Sequence, residues 1–188
     1  GQSSFKMIPS FVPQTATGNE KGSYLALDIG GTNYRICEII VRGDGHIEVG
    51  RKENVQIPTQ LLTSNGDELF DFVAESVKKF VEKSNETSPK EIGFTFSFPI
   101  DQTGIASGKL IKWTKQFATS GVEGKDVVQL LHKAFERKGV SSDIHVEAIV
   151  NDTVGTLLAS SYESQDKPTL VSLILGTGTN FAYVENVD

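Results

Sequence analysis

Three groups of residues in this sequence have the types needed to move a proton or to hold an anion. Asn151-Asp152-Thr153 follows an apolar stretch, and its carboxylate could accept a proton from a hydroxyl that attacks phosphorus. In Gly30-Gly31-Thr32-Asn33, two glycines allow positive φ, which would aim backbone N–H groups at phosphate oxygens. Ser97, Thr114 and Lys115 offer mixed donors and acceptors to a ligand rich in hydroxyl groups, because each hydroxyl buried unpaired costs ~1–3 kcal/mol.

Each group also has a purely structural explanation. Adjacent glycines are an ordinary hairpin signal, and Asn, Asp and Thr are favoured at helix N-caps. Ser97 lies among three alternating phenylalanines that fit a core strand, and the lysines around Trp113 fit a solvated loop with one packed indole. The residues alone leave both explanations open.

The glycine turn has an echo near the end of the sequence. The stretch GTNYRICE at 31–38 is matched by GTNFAYVE at 178–185, which likewise follows an apolar run at 170–175. This repeat predicts two related lobes that grip a nucleotide's phosphates from either side and close on a substrate between them.

Hydrophobic periodicity predicts the elements that would position these residues. Apolar residues alternate on both sides of the first glycine turn, and Asp44-Gly45 is a turn signal before a third strand at 46–57. These three strands should form an antiparallel meander. A loop at 58–65 should follow, with Ser64 or Asn65 capping a helix that runs to about Lys83.

The later part of the chain should alternate strands with helices. The predicted strands are 91–98 and 143–150, and the predicted helices are 124–138, which Gly139 would end, and 154–162. Helices between strands favour parallel pairing through right-handed crossovers. Residues 101–120 have no clean period and are predicted to be a long functional loop, with a short strand at 110–113 as an alternative.

Composition excludes several classes of function. The net charge of -6 is spread along the chain, so no basic footprint for nucleic acid is present, and no apolar run reaches the ~20 residues of a membrane span. Cys37 is the only cysteine, which suits a reducing compartment, and we expect a cytoplasmic protein. His46, His132 and His145 are too far apart for metal-ligand spacing, and neither a Walker loop nor a Gly-x-Gly-x-x-Gly motif occurs.

Five ordered motifs show a resemblance to a known family. The sequence contains, in this order, LALDIGGTNYR, FTFSFP, LIKWTK, IVNDTVGTL and LGTGTN. From about Met7 to Glu185 it resembles the hexokinases, particularly their fungal hexokinase and glucokinase branch. The resemblance implies an α/β, ribonuclease-H-like (actin-like ATPase) fold, with a mixed sheet of three antiparallel strands followed by parallel strands and crossover helices. It also implies an extended lead-in at 1–21, a small domain at 22–150 and the beginning of a large domain at 151–188.

The resemblance implies a role for each site residue. Asp152 would be the catalytic base. The sugar would be contacted by Ser97, Pro99, Thr114, Lys115, Asn151, Asp152 and Asn180. The ATP phosphates would be bound by Asp28, Gly30, Gly31, Thr32, Asn33 and Arg35 in the first turn and by Gly176, Thr177, Gly178 and Thr179 in the second.

The activity implied is transfer of the γ-phosphoryl group of ATP to the 6-hydroxyl of glucose, and of other hexoses, as the first step of glycolysis. Mg²⁺ would arrive with ATP rather than on a protein site, and the protein would be a monomer or homodimer. A hexokinase-like glucose sensor without useful catalysis is the alternative. An actin-like ATPase is disfavoured, because it has no need of Ser97, Thr114 and Lys115.

The ends of the sequence suggest part of a longer protein. The chain begins at Gly1 rather than Met and stops at Asp188, directly after the second hairpin. The family's two sugar-binding glutamates and its adenosine pocket would lie beyond that point. We therefore expect residues 1–188 alone not to phosphorylate glucose.

Overall fold

The computed structural model describes residues 6–84, 89–164, 167, 169–176 and 178–185. In chain order the strands are β1 (Lys21–Ile29), β2 (Asn33–Arg42), β3 (Ile47–Gln56), β4 (Glu91–Phe96), β5 (Ile100–Gly104), β6 (Ser107–Leu110), β7 (His145–Val150), β8 (Val171–Leu175) and β9 (Thr179–Tyr183). The α-helices are α1 (Gly66–Glu82), α2 (Val127–Lys138) and α3 (Asp152–Glu163). A short 3-10 helix, Thr59–Thr63, lies in the predicted loop before α1.

The central sheet has the order β3-β2-β1-β4-β7. β1, β2 and β3 pair antiparallel, whereas β4 is parallel to β1 and β7 is parallel to β4. The predicted meander and parallel strands are therefore confirmed. Because β1, β4 and β7 run in the same direction, the chain leaves all three at one edge of the sheet, which is where α/β folds place ligands.

The helices α1 and α2 each bury one apolar face. Asn65 caps α1 by accepting a hydrogen bond from Glu68 N at 2.9 Å. Asp126 caps α2, which ends at Gly139 with a left-handed φ of 63° that favours glycine. Alternate residues of the strands share one hydrophobic core with these helices; its largest fully buried members include Tyr34, Phe70, Phe80, Phe94, Phe96 and Phe98.

The predicted loop at 101–120 is partly regular, and this prediction needs correction. β5 and β6 form an antiparallel hairpin that ends at Leu110, so the alternative strand at 110–113 is also wrong. Contacts with β7 hold the hairpin: Ile149 N donates to Ile105 O at 2.8 Å, and Gln102 Nε2 donates to Ile149 O at 2.7 Å. These bonds join residues more than forty positions apart, so local periodicity carried no sign of them.

A histidine on α2 makes stability depend on pH. His132 Nε2 accepts a hydrogen bond from Val146 N at 3.0 Å, so the ring must stay neutral to make it. Burial lowers the pKa of His132, as does nearby His145, against weaker effects of Asp126 and Glu136. A lowered folded-state pKa means that this stabilisation is complete above the unfolded pKa of ~6.5 and is lost as the pH falls through the folded value.

We expect His132→Phe to leave Val146 N–H unpaired, which costs about 1–3 kcal/mol of unfolding free energy at pH 7. The variant should also lose the fall in stability between about pH 7 and pH 5 that urea unfolding detects in the parent. His145→Gln is the comparison: the hydrogen bond of His145 with Asp143 and its contact with Glu147 raise its pKa, so its own titration gives the opposite pH dependence. Because His145 also lowers the pKa of His132, the slope of this variant is compared with that of the double variant. An unchanged slope in the His132 variant would contradict this assignment.

Candidate functional site

The turn after β1 touches the chain that leaves β4. Ser97 N donates to Ile29 O at 2.9 Å. The Lys115 ammonium donates to the carbonyl oxygens of Gly30 and Ser97, the latter at 3.1 Å. Three of the predicted site residues, Gly30, Ser97 and Lys115, therefore meet at the carboxyl edge of the sheet.

The two glycines of the first turn do not adopt the backbone angle predicted for them. Neither Gly30 nor Gly31 is among the residues with positive φ in the described part of the chain, so that expectation is wrong. A Cβ at Gly30 would lie 2.7 Å from both Cβ and Oγ of Ser97, so close packing requires glycine. A Cβ at Gly31 would meet nothing within 4 Å, so this side of the turn is open to a ligand.

The remaining residues of this turn hold its shape. Thr32 O accepts a hydrogen bond from Ile57 N at 2.8 Å, which joins the turn to the end of β3. Asn33 begins β2 and is exposed, as is Thr32. The backbone of the turn is therefore bonded to the residue after β3, while the side chains of Thr32 and Asn33 are exposed to solvent.

A buried indole lies two residues before Lys115. Trp113 Nε1 donates to Thr119 O at 2.8 Å, and its ring stacks on Phe117 with centroids 5.1 Å apart. The packed indole of the structural explanation is therefore correct. Lys115 follows with φ 62°, an uncommon value for a residue with a side chain, and its Nζ lies 5.1 Å from the ring centroid of Phe98. The Lys115 side chain therefore reaches the site from a strained backbone position, with its ammonium group close to the Phe98 ring.

Four charged groups share the space beside the open turn. Arg35 Nη1 lies 3.6 Å from Asp28 Oδ2. Burial raises the pKa of Asp28, and the nearby charge of Asp152 also raises it, whereas Arg35 and Lys115 lower it. Asp28 ends β1 and Asp152 begins α3, so the fold brings two carboxylates from distant parts of the chain into one electrostatic field.

The first turn of α3 carries the other half of the site. Asn151 caps the helix, with its Oδ1 accepting from Thr153 N at 3.2 Å, which confirms the capping explanation for this residue. Asp152 Oδ1 accepts from Thr153 N at 2.9 Å and from Asn180 Nδ2 at 3.3 Å. Asn180 Nδ2 also donates to Asn151 Oδ1 at 2.8 Å. Asn151, Asp152 and Asn180 are therefore brought together.

Two predicted sugar contacts lie at the same edge without joining this network. Pro99 O accepts from Ile111 N at 2.9 Å, at the base of the β5–β6 hairpin. Thr114 is exposed, and its carbonyl accepts from Phe117 N at 3.4 Å. Both of these hydrogen bonds join residues within the segment 99–117.

The second glycine turn repeats the first in outline. β8 and β9 form an antiparallel hairpin, and Gly176 N donates to Gly178 O at 3.0 Å across the turn. Thr179 begins β9, and the predicted Thr177 lies outside the described residues. The repeated strand, turn and strand are confirmed, but no hydrogen bond between described residues joins the two turns.

Sequence reasoning missed one residue that supports the site. The buried Ser172 hydroxyl donates to Thr153 O at 2.6 Å and so ties β8 to the first turn of α3. The available signal was a single hydroxyl in an otherwise apolar run at 170–175.

The described residues contain neither a candidate membrane-spanning helix nor a candidate metal cluster. None of the helices in that part of the chain is long and apolar enough to cross a membrane. The same residues contain no cluster of three or more His, Cys, Asp or Glu side chains arranged to hold a metal ion.

Known proteins share both the sequence and this architecture. The hexokinase family model matches residues 1–162. Hexokinase-2 of Oryza sativa subsp. japonica is 45% identical over 195 residues, which cover 100% of this chain and 39% of that protein. Hexokinase-1 of Arabidopsis thaliana is 46% identical over 192 residues, covering 98% of this chain and 38% of that protein. The chain thus spans about two fifths of the length of these relatives.

A solved structure agrees with these matches. The hexokinase of Schistosoma mansoni complexed with glucose superposes with a TM-score of 0.86 at 41% identity, over 97% of this chain and 40% of that one. The mixed sheet and its crossover helices are therefore the hexokinase form of the actin-like ATPase fold. With its motifs in order, its sheet topology matched and most of its length covered by the family model, this chain belongs to the hexokinase family.

Proposed function

We propose that the chain is part of an ATP-dependent hexokinase that transfers the γ-phosphoryl group to the 6-hydroxyl of glucose. One observation carries the proposal: the Asp152 carboxylate and the open turn at Gly31 lie at the same edge of the sheet, with Asn180 and Lys115 beside them. A proton acceptor next to an anion cradle is the pairing that phosphoryl transfer to a hydroxyl needs. The glucose bound by the schistosome relative supports the choice of sugar.

The chemistry follows from position and charge. Asp152 would take the proton of the sugar hydroxyl as that oxygen attacks the γ-phosphorus, and the bond to the β–γ bridging oxygen would break as ADP leaves. The open side of the turn at Gly31 lets phosphate oxygens approach the backbone. Lys115 and Arg35 place positive charge near Asp28. Ser97, Asn151 and Asn180 would supply hydrogen bonds for sugar hydroxyls.

Mg²⁺ would enter this site on ATP. Asp28, which is half-buried beside the turn, and Asp152 are the carboxylates near this site. Two carboxylates are too few to hold the ion alone, so phosphates would supply most of its ligands. Bound there, the ion would neutralise phosphate charge. Among the described residues no three-ligand cluster competes for it.

The domain arrangement is also part of the proposal. Residues 22–150 would form the small domain, residues 1–21 its extended lead-in, and residues 151–188 the beginning of a large domain. Closure around the sugar would exclude water, which otherwise competes as phosphoryl acceptor. Because the chain spans only part of its relatives, we expect residues 1–188 alone to be inactive.

Finer assignments extend the same proposal. Other hexoses would be accepted as substrates, and the reaction would be the first step of glycolysis, run by a monomer or homodimer. We place the protein in the cytoplasm. A 46% identical relative from rice is named a chloroplastic hexokinase, so a tagged intact protein imaged in cells tests the compartment.

The deciding experiment is coupled detection of glucose 6-phosphate formed by the intact protein from MgATP and glucose. We expect turnover that needs both substrates and stops when magnesium is chelated. Glucose binding without turnover would overturn the kinase proposal and favour a sugar sensor. Calorimetric titration with glucose, run on the same preparation, separates that outcome from a protein that binds no sugar.

A further inference from the structure

Thr153 is buried between two of the proposed sugar-binding residues. Its side chain is 1% exposed. Its hydroxyl donates to Asn151 Oδ1 at 2.7 Å and accepts from Asn180 Nδ2 at 3.1 Å. A hydroxyl can donate to one neighbour and accept from another at the same time, which an aliphatic side chain of the same shape cannot do.

These contacts fix which way the Asn151 amide faces. The backbone N–H of Thr153 can only donate, so the amide atom that it meets at 3.2 Å must be the oxygen. The Thr153 hydroxyl and Asn180 Nδ2 converge on the same Oδ1. The Asn151 NH₂ group is thereby turned away from this cluster, and no described residue accepts a hydrogen bond from it.

The Asn180 amide is oriented in the opposite sense. Its nitrogen faces three acceptors, which are Asn151 Oδ1, Asp152 Oδ1 and Thr153 Oγ1. Its oxygen must therefore point the other way. Together the two amides present one NH₂ donor and one carbonyl acceptor, a combination suited to hydroxyl groups that both donate and accept.

Thr153 is itself held in place by its backbone. Its N–H donates to the carboxylate of Asp152 at 2.9 Å, and its carbonyl accepts from the buried Ser172 hydroxyl at 2.6 Å. The hydroxyl that orients the two amides is thus fixed to both α3 and β8.

We propose that Thr153 is a positioning residue for sugar recognition: its hydroxyl holds the amides of Asn151 and Asn180 in the orientations that pair with hydroxyls of the hexose. This inference rests on the proposed function, because it assigns the means by which that site recognises its sugar. Because Thr153 is only 1% exposed, it would act through its two neighbours rather than by touching the sugar.

The test is Thr153→Val in the intact protein, which keeps the shape and removes both hydrogen bonds. We expect KM for glucose to rise about tenfold or more while KM for MgATP stays within about twofold. Thr153→Ser restores the hydroxyl and should recover KM for glucose to within about threefold. Thr156→Val is the matched control, since the hydroxyl of the exposed Thr156 donates to the backbone carbonyl of Asp152 within α3 and not to either amide.

Three outcomes would overturn the proposal: an unchanged KM for glucose in Thr153→Val, an equal rise in both KM values, or a Thr153→Ser variant as impaired as the valine variant. The last would mean that the methyl group and packing matter rather than the hydroxyl. If Thr153→Val shows no cooperative thermal transition, Thr153→Ala replaces it in the same comparison.

Calorimetric titration with glucose separates this inference from the proposed function. A wild-type protein that binds glucose without turnover refutes the kinase proposal, and the glucose affinities of the valine and serine variants still decide the role of Thr153. Failure of the wild type to bind any hexose refutes both.

Discussion

Asp152→Asn in the intact protein is expected to lower kcat for glucose phosphorylation by about 10²–10⁴, the usual contribution of a general base. The amide keeps an oxygen for Thr153 N and Asn180 Nδ2, which lie 2.9 and 3.3 Å from the carboxylate, so the local structure should persist. The amide cannot accept the proton of the sugar hydroxyl. Steady-state kinetics should show the loss in kcat, with the Kd for glucose changed by less than about threefold.

The matched control for this substitution is Asp126→Asn. Asp126 is also an aspartate at a helix start, where it accepts from Val128 N at 2.9 Å and Gln129 N at 3.1 Å, but it caps α2 rather than α3. Its substitution should alter stability and leave kcat within about twofold. Equal losses of kcat in both variants would show that Asp152 serves only as a helix residue.

Gly30→Ala is expected to damage both stability and activity. The new Cβ would lie 2.7 Å from Ser97 Cβ and Oγ, so the turn or the end of β4 must move. Such overpacking costs about 1–3 kcal/mol of unfolding free energy. Displacing Ser97 also disturbs the Lys115 ammonium, which donates to the carbonyls of both residues, and we expect kcat/KM for glucose to fall about a hundredfold.

Gly31→Ala provides the comparison, because its Cβ would meet nothing within 4 Å. We expect a change of less than about 0.5 kcal/mol in unfolding free energy. The methyl group would occupy the open side where phosphates approach, so KM for MgATP should rise while KM for glucose does not. Urea unfolding and kinetics on the two alanine variants check both statements, and equal destabilisation would refute the packing explanation for Gly30.

Two electrostatic interactions of Asp28 differ in whether the local sequence predicts them. Asp28 and Arg35 are seven positions apart, and register across the turn pairs them directly, so a hairpin prediction already implied their contact. The effect of Asp152 on the pKa of Asp28 had no such local signal, because it depends on β1 and α3 meeting at one edge of the sheet.

Packing explains the glycine turn and the Asn151-Asp152-Thr153 motif more fully than the sequence did. Adjacent glycines suggested positive φ, yet Gly30 is needed because Ser97 lies against it. The capping explanation of Asn151-Asp152-Thr153 is correct for Asn151. The same turn also carries Asp152, and the amide of its Asn151 accepts a hydrogen bond from that of Asn180 in β9. A structural role and a proposed catalytic role therefore coexist in three consecutive residues.

The sequence by itself determined the three-stranded meander, the three helices, the helix end at Gly139 and the two glycine hairpins, because each depends on periodicity or backbone preference within a few residues. Only the tertiary structure decided the β5–β6 hairpin, the reach of Lys115 to Gly30, and the placing of Thr153 between two amides. These features arise from steric fit and hydrogen bonds between segments distant in the chain, which become defined only when the sheet has brought its carboxyl ends together.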